Sequence, residues 1–99
     1  MFFRDFFLGF VKVHILHHAS QKPIFGLGMI EELAKHGYQI SPGTIYPTLR
    51  SLETAGFLQQ ENRLVNGKIR KYYRITPLGQ EALAEAKDKI KELVTEVLA

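Results

Sequence analysis

The chain contains no cysteine. That excludes disulfides, thiol catalysis and thiolate metal sites, and fits a reducing compartment. No apolar run approaches the ~20 residues of a membrane-spanning helix. The apolar opening Phe2-Phe3-Arg4-Asp5-Phe6-Phe7 is broken by charge, and no cleavable signal pattern is present. A cytoplasmic protein without membrane contact is the expectation. There is no recognisable nucleophile–base pair, glycine-rich phosphate loop or catalytic carboxylate pair, so neither an enzyme nor a cofactor site is expected. Internal repeats and low-complexity segments are also absent.

Ninety-nine residues support one domain, or a small domain plus one long helix. Thirteen basic and ten acidic side chains leave a formal charge of +3, with a sequence pI near 9.3. So modest an excess means that the placement of charge carries the argument, not its total.

The most informative stretch runs from Gly37 to Gly56. Ser41 is placed as a helix N-cap and Pro42 as the first helical residue, where its missing N–H costs nothing. Gly56 is placed to end the helix in the left-handed region. Ile45, Leu49 and Leu52 recur at helical spacing and form a buried stripe. The opposite face carries Thr44, Tyr46, Pro47, Arg50 and Ser51, which suits a helix that reads a major groove. Pro47 lies inside this helix, where a proline normally costs about 3 kcal/mol. Gly43, four residues earlier, eases the clash. A break of a local rule points to a functional surface; the plain alternative is a proline that only bends a surface helix.

A first helix is predicted from about Phe3 to Ala19, with Phe3, Phe6, Phe10, Val13 and His17 along one stripe and Phe2, Phe7, Val11 and Ile15 widening it. Apolar over so much of its circumference, it must be buried on more than one side, and a second subunit is the natural cover. Ser20 to Phe25 reads as a polar connection. A second helix follows from about Gly26 to His36 and stops at Gly37, which makes a helix–turn–helix with the one described above.

After Gly56 the pattern alternates. Phe57–Val65 and Lys68–Thr76 flank Asn66-Gly67, the strongest two-residue hairpin signal. That turn predicts Leu64 facing Ile69, Leu58 facing Ile75 and Gln60 facing Tyr73 on an inner side. Lys68, Arg70, Tyr72 and Arg74 fall outside, with Arg63 opposite Arg70. Opposed like charges are destabilising unless an anion sits between them. A charged, solvated edge that resists aggregation is the alternative.

Thr76-Pro77 opens a last helix that runs to the C-terminus. Leu83, Ala86, Ile90, Leu93 and Val97 form a seam of about two heptads flanked by charge. A lone helix of this length is marginal and needs a partner. The fold class is therefore mainly α (α+β): a winged helix–turn–helix at 1–76 and a long C-terminal dimerisation helix at 77–99. Phe3, Phe6, Phe7 and Phe10 are expected to meet Leu83, Ala86, Ile90, Leu93 and Val97 across a two-fold axis.

Tyr38-Gln39-Ile40-Ser41-Pro42-Gly43-Thr44-Ile45-Tyr46-Pro47-Thr48-Leu49, then Leu52-Glu53-Thr54-Ala55-Gly56-Phe57-Leu58, then Lys71-Tyr72-Tyr73-Arg74-Ile75-Thr76-Pro77-Leu78-Gly79, resemble the PadR family of bacterial and archaeal transcriptional regulators. The single C-terminal helix is similar to the compact subgroup of that family. The resemblance implies a homodimeric repressor on a palindromic double-stranded operator, often released by a small molecule. It maps the DNA-reading helix onto residues 41–55 and the wing onto 63–73. The recognition-helix tyrosine is then Tyr46, and the basic wing residues are Lys68, Arg70 and Lys71, beside Arg63.

His14, His17 and His18 sit at spacings that would let two of them share a metal ion. The nearest acidic residue in sequence is Asp5, more than two turns away. A polar edge on a mostly buried helix is the preferred reading, so no metal is expected. Two other functions remain open. One is a winged-helix module for protein contacts, since fold does not dictate function. The other is a sensor whose Phe3, Phe6, Phe7 and Phe10 line a cavity for a small apolar or aromatic effector.

Overall fold

A computed structural model describes residues 2–99. Its elements are α1 (Phe2–Gln21), α2 (Gly26–Lys35), α3 (Pro42–Thr54), β1 (Leu58–Val65), β2 (Lys68–Ile75) and α4 (Pro77–Val97). This is a winged helix–turn–helix with a long appended helix. Among the described residues no helix is long and apolar enough to cross a membrane.

The core gathers Val11, Ile15, Leu16 and Ala19 of α1, Met29 and Leu33 of α2, and Ile45, Leu49 and Leu52 of α3. Each large aliphatic side chain so buried stabilises the fold by roughly 1.5–3 kcal/mol. The predicted stripe of α3 is therefore its buried face. The phenylalanine stripe of α1 is not part of this core: Phe3 is 73% exposed, Phe6 44% and Phe10 38%. Only Phe7 is partly covered, its ring packed on Tyr38 at 5.5 Å.

Local signals set the helix ends. Gly37 and Gly56 have φ of 85° and 86°. Behind them Tyr38 N–H donates to Leu33 O at 3.0 Å and Phe57 N–H to Leu52 O at 2.9 Å, closing both helices in the same way. Ser41 occupies the N-cap position of α3, but its hydroxyl caps no backbone N–H. It faces the Thr44 hydroxyl at 3.5 Å instead.

Asn66 and Gly67 both have positive φ, 51° and 78°, as a type I′ turn requires. The register is the predicted one, with Leu58 opposite Ile75, Gln60 opposite Tyr73, Arg63 opposite Arg70 and Leu64 opposite Ile69. The inner side is nevertheless covered only at its base. Leu58 and Tyr73 are buried, whereas Leu64 and Ile69 are 75% and 72% exposed, because the hairpin tip reaches past the body. The connection before α2 also differs from a plain polar loop. Ile24 is buried and pairs antiparallel with Tyr73, its N–H donating to Tyr73 O at 2.9 Å and its carbonyl accepting from Tyr73 N–H at 2.7 Å.

Thr76 joins three elements. Its hydroxyl donates to Gly56 O at 2.6 Å and accepts from Gly79 N–H at 3.0 Å, so it ends α3 and caps α4. One residue leaves the expected dimer seam. Leu83, assigned to it by spacing alone, is 5% exposed and lies in the chain's own core. The first turns of α4 pack back on the body, while every residue after Ala86 is exposed.

At Gly79 a Cβ would meet Phe57 O at 2.2 Å and Ile75 Cγ1 at 2.7 Å. The first of these is backbone and cannot rotate away. Gly79→Ala is therefore expected to destabilise the fold by about 1–3 kcal/mol, the usual range for overpacking. Urea denaturation measures this, and an unchanged midpoint would show that α4 docks more loosely than described.

Candidate nucleic-acid interface

Because Ile45, Leu49 and Leu52 turn inward, Tyr46, Pro47, Arg50 and Ser51 turn outward, all of them exposed. Thr44 is half-buried, and its carbonyl accepts from the Thr48 hydroxyl at 2.7 Å. This bond lies beside the break that Pro47 makes in the backbone ladder, where no N–H is available for the Gly43 carbonyl. A Cβ on Gly26 would come within 2.4 Å of the Tyr46 ring. The bare backbone at the start of α2 is thus what allows that ring its place.

A cleft of about 760 Å³ opens between α3 and the hairpin. Tyr46 and Arg50 line it from α3, and Lys68, Arg70 and Lys71 from β2. Five of the ten predicted contact residues, from two distant stretches of sequence, thus share one concavity. On the other side of α3 a second groove is lined by Gly43, Thr44, Pro47, Thr48 and Ser51 together with Arg4, Leu8 and Lys12 of α1. Sequence reasoning missed Arg4 and Lys12 as members of this surface. Their spacing with Leu8, four by four, put all three on one side of α1, but nothing local says that this side meets α3.

The wing cations are not equivalent. The Arg70 guanidinium lies 4.3 Å over the Phe25 ring and that of Arg63 4.4 Å over the Tyr72 ring, and the two rings pack at 5.2 Å. The opposed arginines are therefore each held by an aromatic face. Glu61 bonds Arg74 Nε at 2.9 Å and Arg63 Nε at 3.3 Å. Arg74, the stronger partner, and Arg63 hold the Glu61 carboxyl below the usual carboxylate range. Arg63 and Arg74 are thus already engaged. Lys68, Lys71 and Arg50 have no ion-pair partner among the described residues. Deeper in, burial pushes the Tyr73 phenol above its ordinary range, which keeps its proton on.

Comparison with known proteins identifies the family. The family described as Transcriptional regulator PadR-like matches residues 15–85. The chain belongs to this family. Among curated proteins, this PadR-like chain is similar to "Transcriptional regulator Rv3488" of Mycobacterium tuberculosis (strain ATCC 25618 / H37Rv), with 47% identity over 95 residues, 96% of this chain and 89% of the relative. Among solved structures it is similar to a PadR family transcriptional regulator from Eggerthella lenta DSM 2243, with 34% identity and a TM-score of 0.82 over 90% of this chain and 79% of that one. A PadR-like transcriptional regulator from Bacillus cereus strain ATCC 14579 gives 33% identity and a TM-score of 0.81 over 90% and 88%.

The aromatic support of the wing can be tested by a double-mutant cycle on Phe25→Leu and Arg70→Ala. A coupling of about 0.5–1 kcal/mol is expected from the stacked guanidinium. Additive effects in urea titrations would mean that Arg70 does not lean on the ring.

Proposed function

We propose that this PadR-like chain is a homodimeric repressor that binds a palindromic double-stranded operator. The observation that carries this reading is the pair of basic rims around α3: Arg4 and Lys12 share a groove with it on one side, and Lys68, Arg70 and Lys71 on the other. A helix lying in a major groove has a phosphate backbone on each side, and cations placed there fix its register. Arg50 is suited to a guanine edge and Pro47 to a thymine methyl. Tyr46 reaches a phosphate through its hydroxyl, with Ser41, Thr44 and Ser51 completing the face. A protein-binding wing has no need of two basic rims.

The second copy covers the apolar surface left open. Phe3, Phe6 and Phe10 on α1 and Ile90, Leu93 and Val97 on α4 are all exposed. A two-fold axis lets such a patch cover its own copy. The part of α4 that serves this contact begins at Ala86, since Leu83 is already used. Two α3 helices would then meet half-sites centred about 34 Å apart, or a multiple of that. Release by a small apolar or aromatic effector would act at the same boundary, against Phe3, Phe6, Phe7 and Phe10.

The test is binding of cognate and scrambled duplexes across a salt series. Arg50→Ala is expected to reduce discrimination by about 1–3 kcal/mol. Lys71→Ala and Lys12→Ala are expected to weaken both duplexes alike and to lower the salt slope by about one each. If all three variants bind as the native chain does, this surface does not read DNA. Ile90→Asp places a charge in the seam and should give monomers or unfolded chains in sedimentation experiments. A native chain that sediments as a stable monomer would overturn the dimer.

A further inference from the structure

The histidines of α1 do not stand alone. α2 brings Glu32 and its C-cap residue His36 against His18, and a ligand atom from each of the three lies within 4.8 Å of the other two. Glu32 and His36 are four residues apart and so share one side of α2. His36 Nε2 is 3.9 Å from Glu32 Oε2. His14 stacks on His36 at 5.5 Å and on His18 at 6.4 Å, while His17 lies edge-on to His18 at 5.1 Å. One carboxylate thus sits among a group of imidazoles, with Lys35 Nζ at 3.5 Å from its other oxygen.

We propose that His18, Glu32 and His36 bind one divalent transition-metal ion of the zinc class per chain. Tetrahedral zinc with bonds of about 2.0–2.2 Å needs its ligand atoms about 3.4 Å apart. The three side chains are half-buried or exposed, so rotation about their own bonds closes the remaining gap. Two imidazoles and one carboxylate suit zinc, cobalt or nickel and not magnesium or calcium, which take oxygen ligands. Three protein ligands leave a position for water. An imidazole must be neutral to ligate. Burial holds His14 below its ordinary range, and does the same for His18 against the opposing pull of Glu32. The ion would tie α1 to the residue that opens the turn between α2 and α3. The site stands independently of the DNA-binding reading.

The experiment uses the untagged chain after EDTA treatment, titrated with Zn²⁺ in a calorimeter and with Co²⁺ by absorption. One ion per chain is expected. His18→Ala, Glu32→Gln and His36→Ala should each weaken binding by ~100-fold or more, since even supporting residues around a metal are worth 10–100-fold. His17→Ala should leave it unchanged. A second measurement needs no variant: the imidazole nitrogen resonances of His18 and His36 should shift on adding Zn²⁺, and those of His17 should not. Absence of binding, binding that survives the three substitutions, or shifts confined to other histidines would each overturn the site.

Discussion

A two-stranded hairpin is at best marginal in water on its own, and this one extends well past the body that carries it. What holds it is its base, where Leu58 and Tyr73 are buried in the core and Ile24 pairs reciprocally with Tyr73. That pairing adds a single bridge to the two-stranded ribbon at its base, on the β2 side. It also sets the next two residues. Phe25 comes to lie against Tyr72 and beneath Arg70, and Gly26 leaves room for the Tyr46 ring. The wing, the start of α2 and the outward face of α3 therefore meet around this contact.

Charge is deployed with the same economy. Within the hairpin, Glu61 engages Arg63 and Arg74, and two aromatic rings take up Arg63 and Arg70. The like charges that face each other across the ribbon are thereby spread over a stack. Exposed pairs of this kind contribute little to stability, so their consequence is mainly selective. Among the described residues they leave Lys68, Lys71 and Arg50 without ion pairs on the surfaces flanking α3, in a chain whose net charge is only +3.

α4 has two parts with different partners. Through Gly79 and Leu83 it belongs to the same core as the helix–turn–helix, and beyond Ala86 it projects with its apolar residues uncovered. Its docked end packs on α1. The same helix carries His18, which faces the end of α2. α1 thus packs on α4, carries the histidine cluster and borders the groove beside α3.

Features that depend on neighbours in sequence were legible without coordinates. Pro42, Gly37, Gly56 and Thr76-Pro77 bound the helices because their backbone preferences act within a turn. Asn66-Gly67 sets the register because both residues accept positive φ. The inward stripe of α3 followed from period, and with it the outward face of Tyr46, Pro47 and Arg50. Periodicity says which residues share a side, but not what that side meets. It therefore placed Leu83 in an outer seam, Leu64 and Ile69 on a covered face, and the histidines far from any carboxylate. The tertiary structure decided these points, and it alone brought Arg4 and Lys12 beside α3 and Glu32 and His36 beside His18. Such meetings are set by how whole elements pack, a global compromise over the core that no short window of sequence contains.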